Sequence, residues 1–92
     1  LGNINGLILI MENNDVKLTK QTRNMFGKHD IDISMADVRV SYGVCTVSGK
    51  LQKLPKTKVE KVEVRVQQIA SYIRQLPGIR EVVLHCEYKE EI

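Results

Sequence analysis

The sequence predicts an α+β domain of order helix, strand, strand, helix, strand, in which a three-stranded mixed sheet carries two helices on one face. Three observations carry that expectation. Apolar and polar residues alternate through Asp37–Tyr42 and again through Val44–Leu51, with Gly43 between them. Apolar residues then recur at spacings of three and four from Lys58 to Leu76. After Pro77-Gly78 the alternation returns, from Ile79 to Tyr88.

The bulk composition is consistent with this. A chain of 92 residues with 42% hydrophobic and 27% charged content fits one core and leaves no room for a second of comparable size. Phe26, Tyr42, Tyr72 and Tyr88 are the only aromatics, so burial falls to Val, Ile and Leu, the residues of a sheet with helices laid against it. The net charge of +3 admits an acidic partner without demanding one, because excesses of that size are common.

The first fourteen residues read as an N-terminal extension. Leu7-Ile8-Leu9-Ile10-Met11 is too short for periodicity to decide its state, and the flanking Gly6 and Asn13-Asn14 favour an extra strand. The run is also far too short to cross a bilayer. Asp15 is positioned to cap a helix running to Phe26, with Leu18, Thr22, Met25 and Phe26 on one face and Gly27 as its left-handed stop. Lys17, Lys20 and Arg23 occupy its other faces, and Lys28 follows.

In the hairpin, Val38, Val40 and Tyr42 face one side and Arg39 and Ser41 the other, while Cys45, Val47 and Leu51 face the core on the return. Gly43 supplies the permissive turn. The second helix has marked ends: Thr57 with Glu60 has the form of a capping box, and Pro77-Gly78 stops it. Its core stripe is Val59, Val62, Val66, Ile69, Ile73 and Leu76. The last strand turns Val82, Leu84, Cys86 and Tyr88 inward, and the helical connection allows it to lie parallel to the hairpin's second strand. Residues 89–92 form an acidic tail.

The hairpin run Asp37-Val38-Arg39-Val40-Ser41-Tyr42-Gly43-Val44-Cys45-Thr46-Val47-Ser48-Gly49 resembles the signature of the BON domain, the bacterial osmotic-stress and nodulation module. Leu76-Pro77-Gly78-Ile79-Arg80-Glu81-Val82-Val83 is similar to that family's turn before the last strand. The resemblance covers residues 15–88. Tyr42 and Cys45 depart from it, as does a longer lysine-rich segment before the second helix. The resemblance implies a non-catalytic module of the bacterial periplasm or cell envelope, binding phospholipid or assembling membrane-associated proteins.

The candidate contact for an anionic headgroup is the basic stretch Lys50, Lys53, Lys56, Lys58, Lys61 and Arg65, interrupted by Glu60 and Glu63. Each lysine near an anionic surface contributes about 1 kcal/mol, so several together hold a module peripherally. The bland alternative is a solvated loop with Leu51 and Leu54 in the core. Lys17, Lys20, Arg23 and Lys28 form a second basic set that joins the first only if both lie on one side.

No catalytic constellation is present. His85 and Cys86 are adjacent on a strand and point to opposite faces, so they form no dyad. Gly43 to Lys50 lacks the spacing and the Ser or Thr of a phosphate-binding loop. His29, Asp30 and Asp32 are too few to hold a metal without further ligands, and no cofactor is expected. Cys45 and Cys86 read as buried thiols whose strand parity lets them approach each other if their strands are neighbours.

Two other classes compete. A structural reading has the domain assemble with copies of itself or another subunit through an edge strand or the open face of Arg39, Ser41, Thr46, Ser48, His85 and Glu87. A KH-like nucleic-acid reading lacks the Gly-x-x-Gly loop and the stacking aromatics it needs.

Overall fold

The computed structural model describes the backbone of residues 2–90 and the side chains of residues 14–90. In chain order the elements are α1 (Gly2–Lys28), β1 (Ile31–Asp32), β2 (Ala36–Ser41), β3 (Val44–Lys53), α2 (Val62–Arg74) and β4 (Glu81–Tyr88). The α+β class and the mixed sheet are as expected, but the sheet has four strands. The additional one, β1, pairs only Ile31 with Lys53 and Asp32 with Gln52, too short a run to leave a periodic mark in sequence.

Strand β3 is the centre. It runs antiparallel to β2, from Ala36 opposite Gly49 to Ser41 opposite Val44, and parallel to β4, from Val44 opposite Glu81 to Leu51 opposite Tyr88. The hairpin turn is Tyr42-Gly43, with φ of 51° and 82°, the left-handed pair a two-residue turn requires. Tyr42 therefore leaves the strand's alternation. It is 68% exposed, where its spacing from Val38 and Val40 predicted an inward side chain.

Between β1 and β2 the chain bulges through Ile33–Met35. Gln52 donates to the Asp32 carboxylate at 2.9 Å and the Ser34 amide at 2.8 Å, and these bonds hold the carboxyl below its usual range. Opposite the bulge Gly49 has φ +89°, and a Cβ there would lie 2.6 Å from the Met35 carbonyl oxygen. Only glycine fits.

The core is one cluster under the sheet. Val38, Val40, Cys45, Val47 and Leu51 from the hairpin meet Val62, Val66, Ile69, Ala70 and Ile73 of α2 and Leu18, Thr22 and Phe26 of α1. Those apolar stripes are the ones the periodicity predicted, except that Leu76 lies beyond α2 and is only partly buried. Leu84, Cys86 and Tyr88 pack against the cluster while remaining half-exposed.

The helix boundaries depart from expectation. Helix α1 begins at Gly2, so the Leu7–Met11 backbone is helical and adds no strand; its side chains lie outside the described residues. The run is continuous with the Asp15–Phe26 pattern, and Asp15 is an interior residue rather than a cap. Gly27 remains within the helix and the left-handed position falls at Asp30, φ 68°. Helix α2 starts at Val62, four residues later than the expected start at Lys58, and ends at Arg74. The Thr57–Glu60 capping box does not form, because Thr57 turns back to donate to the Leu54 carbonyl at 2.7 Å.

Candidate functional site

The lysine-rich segment is a loop pinned at both ends. Where β3 stops, the Leu54 amide donates to the Asp30 carbonyl at 2.9 Å, tying the loop to the corner between α1 and β1. Lys56 takes a left-handed φ of 65°, and Val59 drops into the core at 8% exposure. Burial of that one side chain leaves Lys56, Lys58, Glu60 and Lys61 facing solvent.

Helix α2 then begins without a cap of its own. Lys61 at the N-cap makes no side-chain bond, and the Val62 and Glu63 amides donate instead to the two oxygens of Glu90, at 2.7 and 3.1 Å. A carboxylate there satisfies orphan amides and meets the positive end of the helix dipole. Part of the acidic tail is thus a structural cap; residues 91 and 92 lie outside the described residues.

Lys58, Lys61 and Arg65 line one groove of about 510 Å³ with Val59, Glu60, Val64 and Gln68. Val64 is 52% exposed, an apolar side chain among charged and polar neighbours. Arg65 is only in part available, since its guanidinium donates to the His29 carbonyl at 3.2 Å and stands 3.9 Å from the Asp30 carboxylate. Lys28 closes α1 two residues before Asp30 and so belongs to the same end of the molecule.

The six expected cations therefore do not make one patch. Lys50 lies opposite Glu87 in the β3–β4 register, on the outer face of the sheet, while α2 occupies the inner face. Lys53, half-buried, is the last residue of β3, opposite Ile31. Lys58 and Lys61 remain together with Arg65. The second basic set divides as well: Arg23 is engaged with β2, and Lys17 lines a groove at the opposite end of the molecule.

That other groove, about 530 Å³, runs between Asn14, Lys17, Leu18 and Gln21 of α1 and the turns at Tyr42-Gly43 and Pro77-Gly78. Gly43 and Gly78 meet here. A Cβ on Gly43 would lie 2.8 Å from the Gly78 carbonyl oxygen, and the Gly43 carbonyl accepts the Arg80 amide at 2.7 Å. The two turns are thus packed against each other.

The remaining candidates resolve plainly. Cys45 lies opposite Val82 and Cys86 opposite Gly49, so the neighbouring strands hold the thiols four residues apart, and both are free. Burial pushes the Cys45 thiol up to about 11, partly offset by a hydrogen bond with Thr22. His29 stacks on Tyr72 with ring centroids 5.2 Å apart. Among the described residues, no group of three or more His, Cys, Asp or Glu could hold a metal ion, and no helix is long and apolar enough to cross a membrane.

Sequence reasoning missed Glu90 and Val64. The tail's charge was visible, but its partner lies 28 residues away at Val62 and only folding supplies it. Val64 falls off the α2 core stripe, and that offset was the available signal. Comparison with protein-family models, with curated proteins and with solved structures finds no match to this chain.

Proposed function

We propose that this chain is a non-catalytic, BON-like binding module that holds an anionic phospholipid surface peripherally through the loop and helix start at Lys56–Arg65. The observation that supports this most is the groove in which Lys58, Lys61 and Arg65 surround the exposed Val64. Flexible ammonium groups reach headgroup phosphates as point charges, and an apolar side chain between them gains on entering the headgroup boundary. Glu60 and the capping Glu90 reduce the site's positive charge, which makes the attachment reversible.

The test is flotation of the full chain with neutral phosphatidylcholine vesicles and with vesicles containing phosphatidylglycerol. Binding is expected only to the anionic vesicles, falling as salt rises. Lys58→Glu with Lys61→Glu should abolish it, whereas Lys50→Glu, on the outer face, should leave it nearly unchanged. Equal failure to bind both vesicles, or indifference to the Lys58 and Lys61 reversals, would sink the reading.

A further inference from the structure

The two edges of the sheet are treated differently. Along β2 and its turn α1 engages one outward backbone group on each of three alternate residues: the Val38 carbonyl accepts from Arg23 Nε at 3.2 Å, and the Val40 and Tyr42 amides donate to Thr19 Oγ1 at 3.0 Å and Asp15 Oδ2 at 3.2 Å. On β4 nothing comparable exists among the described residues. The register and the Lys89 amide donating to the Leu51 carbonyl turn the backbone groups of Val83, His85 and Glu87 toward β3. Those of Val82, Leu84, Cys86 and Tyr88 point away from it, and no hydrogen bond engages them among the described residues.

This eight-residue edge has no proline, bulge or inward-pointing charge to blunt it. The same four residues direct their side chains beneath the sheet, and their burial is incomplete. Val82 is 8% exposed, but Leu84, Cys86 and Tyr88 are only partly buried, whereas Val47 and Leu51, opposite Leu84 and Tyr88 on β3, are at 0%. Open backbone groups and a half-covered apolar row coincide on one strand.

We propose that β4 pairs antiparallel with β4 of a second copy, continuing the sheet across a two-fold axis. Even-numbered residues carry the outward groups, so even must face even. With His85 opposite His85, Leu84 faces Cys86 and Val82 faces Tyr88 beneath the sheet, completing the half-covered row. On the outer face Glu81 then faces Lys89 of the second copy, and the symmetry makes this pair twice.

Sliding by one step of the register in one direction sets Glu81 against Glu87 twice. Sliding the other way sets the buried Val82 opposite Glu90, which is held at the start of α2. Charge complementarity therefore selects the register centred on His85. The same two-fold runs the α2 helices antiparallel, with the Glu63 end of one beside the Arg74 end of the other.

The proposal stands apart from the lipid-binding reading and is tested without lipid. Sedimentation of the full chain across a wide concentration range should show a monomer–dimer equilibrium. Glu81→Lys should raise its dissociation constant roughly tenfold, since two cross-strand pairs change from attraction to repulsion, and adding Lys89→Glu should restore it. In a Cys86→Ser background, His85→Cys should form a disulfide-linked dimer on mild oxidation. Facing residues of a non-hydrogen-bonded pair bring their Cα atoms to about 4.5 Å, within disulfide range. Glu87→Cys, which faces Val83, should not cross-link. A monomer at every concentration, a dimer indifferent to the Glu81 and Lys89 exchange, or cross-linking at position 87 but not 85 would overturn the proposal.

Discussion

The Val40 amide donates to Thr19 Oγ1 at 3.0 Å, and that hydroxyl donates in turn to the Asp15 carbonyl at 2.7 Å. One side chain thereby joins the interior of α1 to the edge of β2. Asp15, Thr19 and Arg23 repeat every four residues along the helix, and the backbone groups they reach belong to Tyr42, Val40 and Val38 in reverse order. Thr19→Val keeps the shape and removes the acceptor, leaving the Val40 amide without its partner. Chemical denaturation should show a loss of about 1–2 kcal/mol, with faster hydrogen exchange at Val40.

Glycine substitutions should change stability in opposite directions. Gly49→Ala forces an L side chain into φ +89° and against the Met35 carbonyl, so a loss above about 2 kcal/mol is expected. Gly27→Ala meets nothing within 4 Å and lies in helical backbone, so a gain of about 0.5–1 kcal/mol is expected. Urea midpoints of the two variants should fall on either side of the parent.

Glu90 caps a helix that its own sequence leaves uncapped. Glu90→Ala should cost about 0.5–2 kcal/mol in thermal unfolding, with faster hydrogen exchange at Val62 and Glu63. Thr57→Ala removes only the Leu54 turn contact and should leave those two amides as protected as before.

Stability should fall at alkaline pH. The Cys45 thiol is raised from 9.0 to about 11 by burial, and the Tyr88 hydroxyl from 10.0 to about 12, first by burial and then by Cys86 and Glu63. Above about pH 9 the unfolded chain releases the Cys45 proton that the folded chain retains, so the unfolded state binds fewer protons and stability declines with pH. That contribution is fully lost only near pH 11. Denaturation midpoints from pH 8 to 11 should show the decline, and Cys45→Ala should flatten its first part. At pH 8 iodoacetamide should label Cys86 well before Cys45, which is inaccessible in the native protein.

The two helical core stripes, the hairpin and the last strand were legible because each buries one face, and burial writes a period of two or close to four into the chain. Val38, Val40, Cys45, Val47 and Leu51, and Val62, Val66, Ile69 and Ile73, are buried as that periodicity requires. Strand β1 left no such trace, being two residues long. The start of α2 was misplaced because Val59 continues the apolar stripe while packing from a loop. The basic site was legible only as a linear run. Strand parity sends Lys50 to the outer face, and Asp30 with the His29 carbonyl occupies Arg65.

By itself, then, the sequence determined most of the core side chains, though it wrongly set Tyr42 among them, where the chain turns at Gly43 and Pro77-Gly78, and that β4 returns after a helix. These follow from local periodicity and backbone freedom, which need no knowledge of neighbours. Only the tertiary structure decided that α1 bonds to the β2 edge while nothing among the described residues bonds to the β4 edge, that Glu90 caps α2, and which lysines share a groove with Val64. Those are pairings between groups distant in sequence, where a hydrogen-bond donor or a charge is defined by what folding sets beside it.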